Sequence, residues 1–407
     1  MNKYPIIFLI FWVFLRLGLT SFGGPLAHIG YFHQEFVVRR KWLSENEFNE
    51  LVALCQFLPG PASSQVGLAI GFAKGGYIGA MLAWIAFTLP SVVMLILFAV
   101  GMMKSSGMFF YYIVPGLKIV AVVIVAHALL GMFKSHCTDK NKVSLMVLSC
   151  VCALIFPYGQ WLVIIICAGL GFFYYKIPEA RFVTHLSQSN YHQSNHIAEL
   201  TLSHGVFWLV LFLLLLFFAC ISAFISPGEL VKSLSIFYRT GASVFGGGHV
   251  VLPFLEAQLV NTRLIENSIF ISGYGAAQAV PGPLFTFAAF LGFFLQTSLS
   301  PYWVALLSLL AIFLPGILLV FSALPFWYRL RQKNKLQGAL ALVNVGVVGL
   351  LLATFYDALW GSAIIGYQDF IVAILLFLFI CQYKFPSWVI VILGVLAQNL
   401  VLLISFA

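Results

Sequence analysis

Charge is what this chain has least of. Its 407 residues hold 21 Lys and Arg and only 12 Asp and Glu, so 8% are charged, against roughly a quarter in an ordinary soluble domain. So few polar groups cannot cover a globular surface. Familiar catalytic motifs are missing too: no glycine-rich phosphate loop, no H-E-x-x-H, no dinucleotide fingerprint and no Ser-His-Asp order. An ATPase or common hydrolase is therefore without support. A membrane-embedded enzyme would still need a nucleophile beside a base, and no polar cluster has that spacing. The seven cysteines (55, 137, 150, 152, 167, 220 and 381) lie mostly in apolar segments, and Cys150 and Cys152 stand one residue too close for a C-x-x-C site. They read as apolar filler, with no metal or cofactor expected. Residues 3–15 lack a small-x-small cleavage site and run straight into Arg16, so a retained first helix is expected.

What the chain does have is apolar length. Hydrophobic residues make up 62% of it, with mean hydropathy +1.03. The stretches 78–101, 109–133, 143–156, 160–175, 205–225, 301–326, 336–355, 369–383 and 387–405 are nearly free of charge. Several reach the ~20 residues that span a bilayer as a helix, and without water in the hydrocarbon each must pair its backbone internally. The fold expected is an all-α polytopic membrane protein. The net charge of +9 sits between apolar runs, where cytoplasmic loops collect Lys and Arg; it is no nucleic-acid signal.

The chain also repeats itself. Arg16-Leu-Gly-Leu-Thr-Ser-Phe-Gly-Gly-Pro25 answers Arg239-Thr-Gly-Ala-Ser-Val-Phe-Gly-Gly-Gly248, with 239 − 16 = 223. Gln56-Phe-Leu-Pro-Gly-Pro61 answers Gln278-Ala-Val-Pro-Gly-Pro283, with 278 − 56 = 222, and Leu89-Pro90 answers Leu314-Pro315, with 314 − 89 = 225. Three landmarks in one order and near-constant spacing mark a duplication. The domains expected are repeat 1–175, a polar linker 176–204 holding His185, His192, His196 and His204, and repeat 205–407. The basic loop Arg329, Arg331, Lys333 and Lys335 has a weak counterpart near Lys104, whereas Lys134, Lys140 and Lys142 face a counterpart carrying Asp357. This exchange of the basic side between halves is what inverted-topology repeats require.

Helix breakers sit at matched positions. Pro59-Gly60-Pro61 and Pro281-Gly282-Pro283 cannot continue a helix, and the apolar segments beside them are too short to cross. Each is expected to form a re-entrant hairpin, as are Phe22-Gly23-Gly24-Pro25 and Phe245-Gly246-Gly247-Gly248. Broken helices offer N–H groups and a positive dipole end to an anion, and paired breaks in two halves point to a transport site. Arg16 and Arg239 each precede a break by six residues in an apolar helix, with Thr20 and Ser243 one turn on. An intramembrane Arg normally faces a cavity or a partner, and its planar fork suits an oxyanion; the alternative is an Arg that snorkels to the interface. Gln56, Gln278 and His249 flank the breaks and complete the candidate site. Glu256, Glu266, Asp357, His28, His33, His127 and His249 are candidates for a proton-coupling group.

The strings R-L-G-L-T-S-F-G-G-P-x-A-H-I-G, H-Q-E-F-V with Trp42, and C-Q-F-L-P-G-P resemble the N-terminal domain of the chromate ion transporter family; F-G-G-G-H-V-V-L-P and Q-A-V-P-G-P resemble its C-terminal domain. Together they resemble the long, two-domain form. The resemblance implies a secondary transporter exporting chromate, a divalent tetrahedral oxyanion, across the plasma membrane and conferring resistance. Transport of sulfate or another oxyanion, or an anion channel on the same scaffold, are the alternatives. The partners expected are a small inorganic oxyanion and the lipid bilayer, with no nucleic acid and room for a homo-oligomer.

Overall fold

The structure, a computed structural model, describes residues 4–104, 112–156, 159–173, 201–222, 225, 228–245, 248–326 and 334–406, and every regular element among them is helical. The linker from 176 to 200, Gly246, Gly247 and the basic positions Arg329, Arg331 and Lys333 lie outside the described residues.

The first repeat runs α1 (Tyr4–Thr20), α2 (Gly24–Phe32) with a π-helical extension His33–Arg39, α3 (Glu45–Phe57), α4 (Ala62–Lys104), α5 (Val114–His136), α6 (Lys140–Ile155) and α7 (Gly159–Phe173). Helix α8 (Leu202–Ile221) precedes α9 (Glu229–Ser243). The second repeat has α9, a 3-10 turn Gly248–Val250, α10 (Val251–Leu255) with a π extension Glu256–Val260, α11 (Asn267–Ala279), a 3-10 turn Leu284–Thr286, α12 (Phe287–Phe294), α13 (Pro301–Ala323), α14 (Asn334–Thr354) continued by π turn Phe355–Trp360, α15 (Tyr367–Cys381) and α16 (Ser387–Phe406). Helix starts follow local chemistry. Ser44 and Glu47 cap α3 reciprocally. Asp139 accepts from the Lys142 N–H at the head of α6, a bond that holds its carboxyl below the usual carboxylate range.

Among the described residues, five helices are long and apolar enough to cross a membrane: Ala62–Lys104, Val114–His136, Leu202–Ile221, Pro301–Phe326 and Gly338–Ala363. The chain is a multi-pass membrane protein. Helix α8 buries only a stripe at Gly205, Phe212 and Ala219, every seventh residue, and turns Phe207, Leu214, Phe217 and Phe218 outward. With no charge on that outer face, lipid is its solvent.

The shorter helices fold back in pairs. Phe14, nine residues before Gly23, touches Phe32 at 5.8 Å and stacks on Phe36 at 5.0 Å, so α2 returns alongside α1. In the second repeat Phe270 and Tyr274 of α11 meet Phe287 of α12 at 5.3 and 5.9 Å. Helix α4 is itself broken at Gly76 (φ 61°, ψ −153°), where its arms 62–75 and 77–104 pass with the Gly71 and Gly79 backbones in contact.

Packing between repeats is reciprocal. Helix α5 of the first repeat packs on α15 and α16 of the second; α14, its counterpart, packs on α6 and α7 of the first. Two close crossings pair Gly116 with Gly394 and Gly338 with Gly171, and these are repeat mates, since 338 − 116 = 222 and 394 − 171 = 223. A Cβ at Gly116 or Gly171 would meet backbone of the facing helix, the close approach that small residues allow between membrane helices.

Candidate functional site

The site is built where the helix breaks come together, and each repeat's Pro-Gly-Pro meets the residue that precedes the other repeat's Phe-Gly-Gly. The Gly60 N–H donates to the Val244 carbonyl at 2.8 Å, and the Gly282 N–H donates to the Ser21 carbonyl at 2.9 Å. Both pairs are repeat mates, with 282 − 60 = 222 and 244 − 21 = 223. Gly60 and Gly282 have φ of +126° and +110°, a region open in practice to glycine alone. Pro25 and Gly248, again 223 apart, lie against each other, so the local two-fold relation passes between them.

This geometry brings together the heads of α2, α4, α10 and the Leu284–Thr286 turn with the tails of α1, α3, α9 and α11. The first intrahelical bond of α4 is Gln65 N–H to Pro61 carbonyl at 3.0 Å, which leaves the Ala62, Ser63 and Ser64 N–H groups as the helix's open donors. The expectation that both Pro-Gly-Pro breaks lend their own N–H groups to a ligand needs refinement. Proline has none, and the two glycine N–H groups already tie one repeat to the other.

Side chains reinforce the junction. His28 is buried between the Ser63 hydroxyl (3.3 Å) and the Ser21 carbonyl (3.1 Å), clasping the ends of α1 and α4. The Gln65 amide donates to the Pro59 carbonyl at 2.9 Å. His249 bonds the Tyr274 hydroxyl at 2.7 Å across the second repeat. Among the described residues, four buried donors at the junction have no protein partner, the Ser21 and Ser64 hydroxyls, the Trp84 indole N–H and the Gln278 amide, and neither has one buried acceptor, Gln65 Oε1. Ser64 and Trp84 line one small pocket of about 10 Å³ with Pro61, Gln65 and Gly316, room for one water. Sequence reasoning missed Ser21, Ser63, Ser64, Gln65 and Trp84. The legible signal was the Ala-Ser-Ser-Gln run directly after Pro61, too polar for the first turn of a membrane helix without a task.

The remaining candidates divide by repeat. Arg16, Thr20, Gly23 and Gln56 are exposed; Phe22, Gly24 and Pro25 are half-buried, with Phe22 against Trp388 at 6.0 Å. Pro59 is half-buried and Pro61 buried. In the second repeat Arg239, His249, Gln278 and Gly282 are half-buried, and Ser243, Gly248, Pro281 and Pro283 are buried. Arg239 donates through Nε to the Ser235 carbonyl at 3.3 Å. The Thr20 and Ser243 hydroxyls donate to the carbonyls of Arg16 and Arg239, at 2.9 and 2.8 Å. In this state neither hydroxyl proton points at a ligand beside its guanidinium, because the helix carbonyl one turn back takes it.

Packing repeats the division. Helix α11 seats on α5 and α16, while its mate α3 has no comparable seat on α14 or α7 among the described residues. The second-repeat side of the junction is closed and the first-repeat side is open.

Comparisons with known proteins agree with the duplication. The sequence model of the family described as Chromate transporter matches residues 8–172 and again 231–398. An uncharacterised transporter of Methanocaldococcus jannaschii is 28% identical over 84% of this chain and 82% of its own. The chromate transport protein of Pseudomonas aeruginosa is 26% identical over 84% of this chain and 79% of its own, and that of Cupriavidus metallidurans 25% identical over 81% and 76%. No solved structure matches.

Proposed function

The chain belongs to the chromate transporter family, and we propose that it is a secondary transporter exporting chromate across the plasma membrane, which confers chromate resistance. The observation that carries this reading is the junction of breaks with more unpartnered buried donors than acceptors: among the described residues Ser21, Ser64, Trp84 and Gln278 have hydrogens without an acceptor, against one unpartnered acceptor, Gln65 Oε1. A tetrahedral oxyanion is the complement, all acceptor and doubly negative. Helix heads add positive dipole ends. Relatives named for chromate transport make chromate the first substrate to test.

In this reading Arg16 and Arg239 supply charge as the junction widens, with Gln56, Gln278 and His249 around the ion. The pocket of about 10 Å³ is too small for the ion, so loading requires the open first-repeat side to admit it. The repeats have inverted topology, and alternating access exchanges the open side for the closed one. Radiolabelled chromate and sulfate uptake into inverted vesicles with defined gradients tests the function. Saturable, gradient-coupled chromate uptake is expected. Sulfate uptake with chromate excluded would reassign the substrate, and unsaturable flux that follows the ion's own gradient would mean a channel.

A further inference from the structure

Away from the junction, the second repeat borders a cavity of about 240 Å³ lined by the α6–α7 turn, α10 with its π extension, and the end of α14. Glu256 and Asp357 both face it, each within a π-helical turn. Such turns displace side chains from helical register and gather at functional sites. Glu256 is 5% exposed, and no hydrogen bond or cation reaches its carboxylate among the described residues. Asp357 is exposed at the mouth. Gln160, 7% exposed, and buried Thr354 also line the cavity, with no hydrogen-bond partner among the described residues. Their polar atoms therefore have only the cavity to serve.

We propose that this cavity is a proton-loading site in which Glu256 carries the coupling proton and Asp357 relays it from water. The inference rests on the transporter reading above. A buried carboxylate without donor or cation is costly in a membrane interior, and a proton removes that cost. Loading forms an O–H bond on Glu256 and turns hydronium into water; release on the other side reverses it. The link to the junction is covalent. Glu256 stands eight residues after Gly248, on the same short stretch of 3-10, α and π turns. With Glu256 charged, that stretch must stay against the wet cavity; with Glu256 neutral, it can move through a closed, dry state.

The surroundings favour a proton over a metal ion. Among the described residues no group of three or more His, Cys, Asp or Glu gathers anywhere. The elements packed around Glu256 bring Lys232 and Arg239 on α9, His249, Tyr274 on α11, and Tyr356 beside Asp357. Only Asp357 among these ionisable groups lines the cavity. The first repeat holds a titratable group at the same place: His33 opens its π extension as Glu256 opens the second, with 256 − 33 = 223. His33 is instead paired with Glu45 at 2.8 Å, which leaves the second repeat's carboxyl as the free carrier.

The test uses full-length protein in liposomes with the membrane potential clamped. Wild type should accumulate chromate on an imposed pH gradient, by about tenfold per pH unit and coupled proton. Glu256→Gln should lose that accumulation yet keep chromate–chromate exchange, which needs no net proton movement. Asp357→Asn should slow accumulation without lowering its final level. Infrared difference spectra of purified protein give a readout independent of transport: a protonated-carboxyl band at neutral pH, absent in Glu256→Gln. Wild-type accumulation in Glu256→Gln, an unchanged band, or accumulation that follows Na⁺ and ignores pH would each overturn the site. A wild type that moves no oxyanion would sink the transporter reading instead, and the infrared band would still judge the carboxyl.

Discussion

Gly60 and Gly282 each do two things at once, which makes them informative single positions. Their φ values lie where a side chain is strained by about 1–3 kcal/mol, and their N–H groups bind the opposite repeat. A methyl at Gly60 would lie 2.8 Å from the Gln65 amide nitrogen and 3.2 Å from the Gly316 Cα; one at Gly282 would lie 2.8 Å from the Ser91 hydroxyl. Gly60→Ala and Gly282→Ala should therefore lower the melting temperature of detergent-solubilised protein by similar amounts and depress chromate transport together. A well-folded Gly282→Ala protein with normal transport would show the cross-repeat contact to be incidental. The two arginines carry a different expectation. If they bind the ion as the junction opens, Arg→Lys should weaken affinity less than Arg→Gln at either position, with membrane abundance unchanged. A snorkelling Arg16 gives the reverse pattern: less protein in the membrane and normal affinity in what remains.

Among elements, the broken helices separate transport from folding. Replacing Pro59-Gly60-Pro61 by three alanines would let α3 run on toward α4, restoring backbone bonds while erasing the turn that meets Val244. Insertion should survive and transport should fall to background; the same holds for Pro281-Gly282-Pro283. Normal transport by either folded triple variant would make these breaks packing kinks. Much at this scale was readable beforehand. Apolar runs foretold the spans because a lipid-facing helix must be apolar along its whole length, and Gly and Pro foretold the breaks because few other residues stop a helix in lipid. The duplication told which residues correspond, such as Gly60 with Gly282. It could not tell that Gly60 meets Val244 rather than its own repeat's Ser21, since that depends on how the two halves interleave. Nor could periodicity bring Asp357 to Glu256, because both sit in π turns that shift the helical register from which faces are read.

For the whole molecule, the strongest consequence lies in how far the two halves depart from their own symmetry. Their crossings at Gly116–Gly394 and Gly338–Gly171 are equivalent, so the scaffold is balanced. The hairpins are not. Helix α11 is seated on α5 and α16, while its mate α3 packs on α4 with no comparable seat on α14 or α7 among the described residues; Gln56 is exposed while Gln278 is half-buried. Two packings of equivalent elements on equivalent scaffolds have comparable energies, so the mirror arrangement, with α3 seated and α11 released, should be the other transport state. Cysteines at Gln56 and Gln278, in a protein with its seven native cysteines replaced, report on both. In the absence of ion, Gln56→Cys should react with an impermeant thiol reagent and Gln278→Cys should be protected. If topology is inverted, the side that reaches Gln56→Cys should be opposite to the one that reaches Gln278→Cys. Conditions that turn the carrier over should then raise labelling at 278 as they lower it at 56. Both sites reacting from one side of the membrane would end the inverted arrangement. Labelling that never moves reciprocally would mean that the unequal seating of α3 and α11 is fixed, and that access does not alternate through these hairpins.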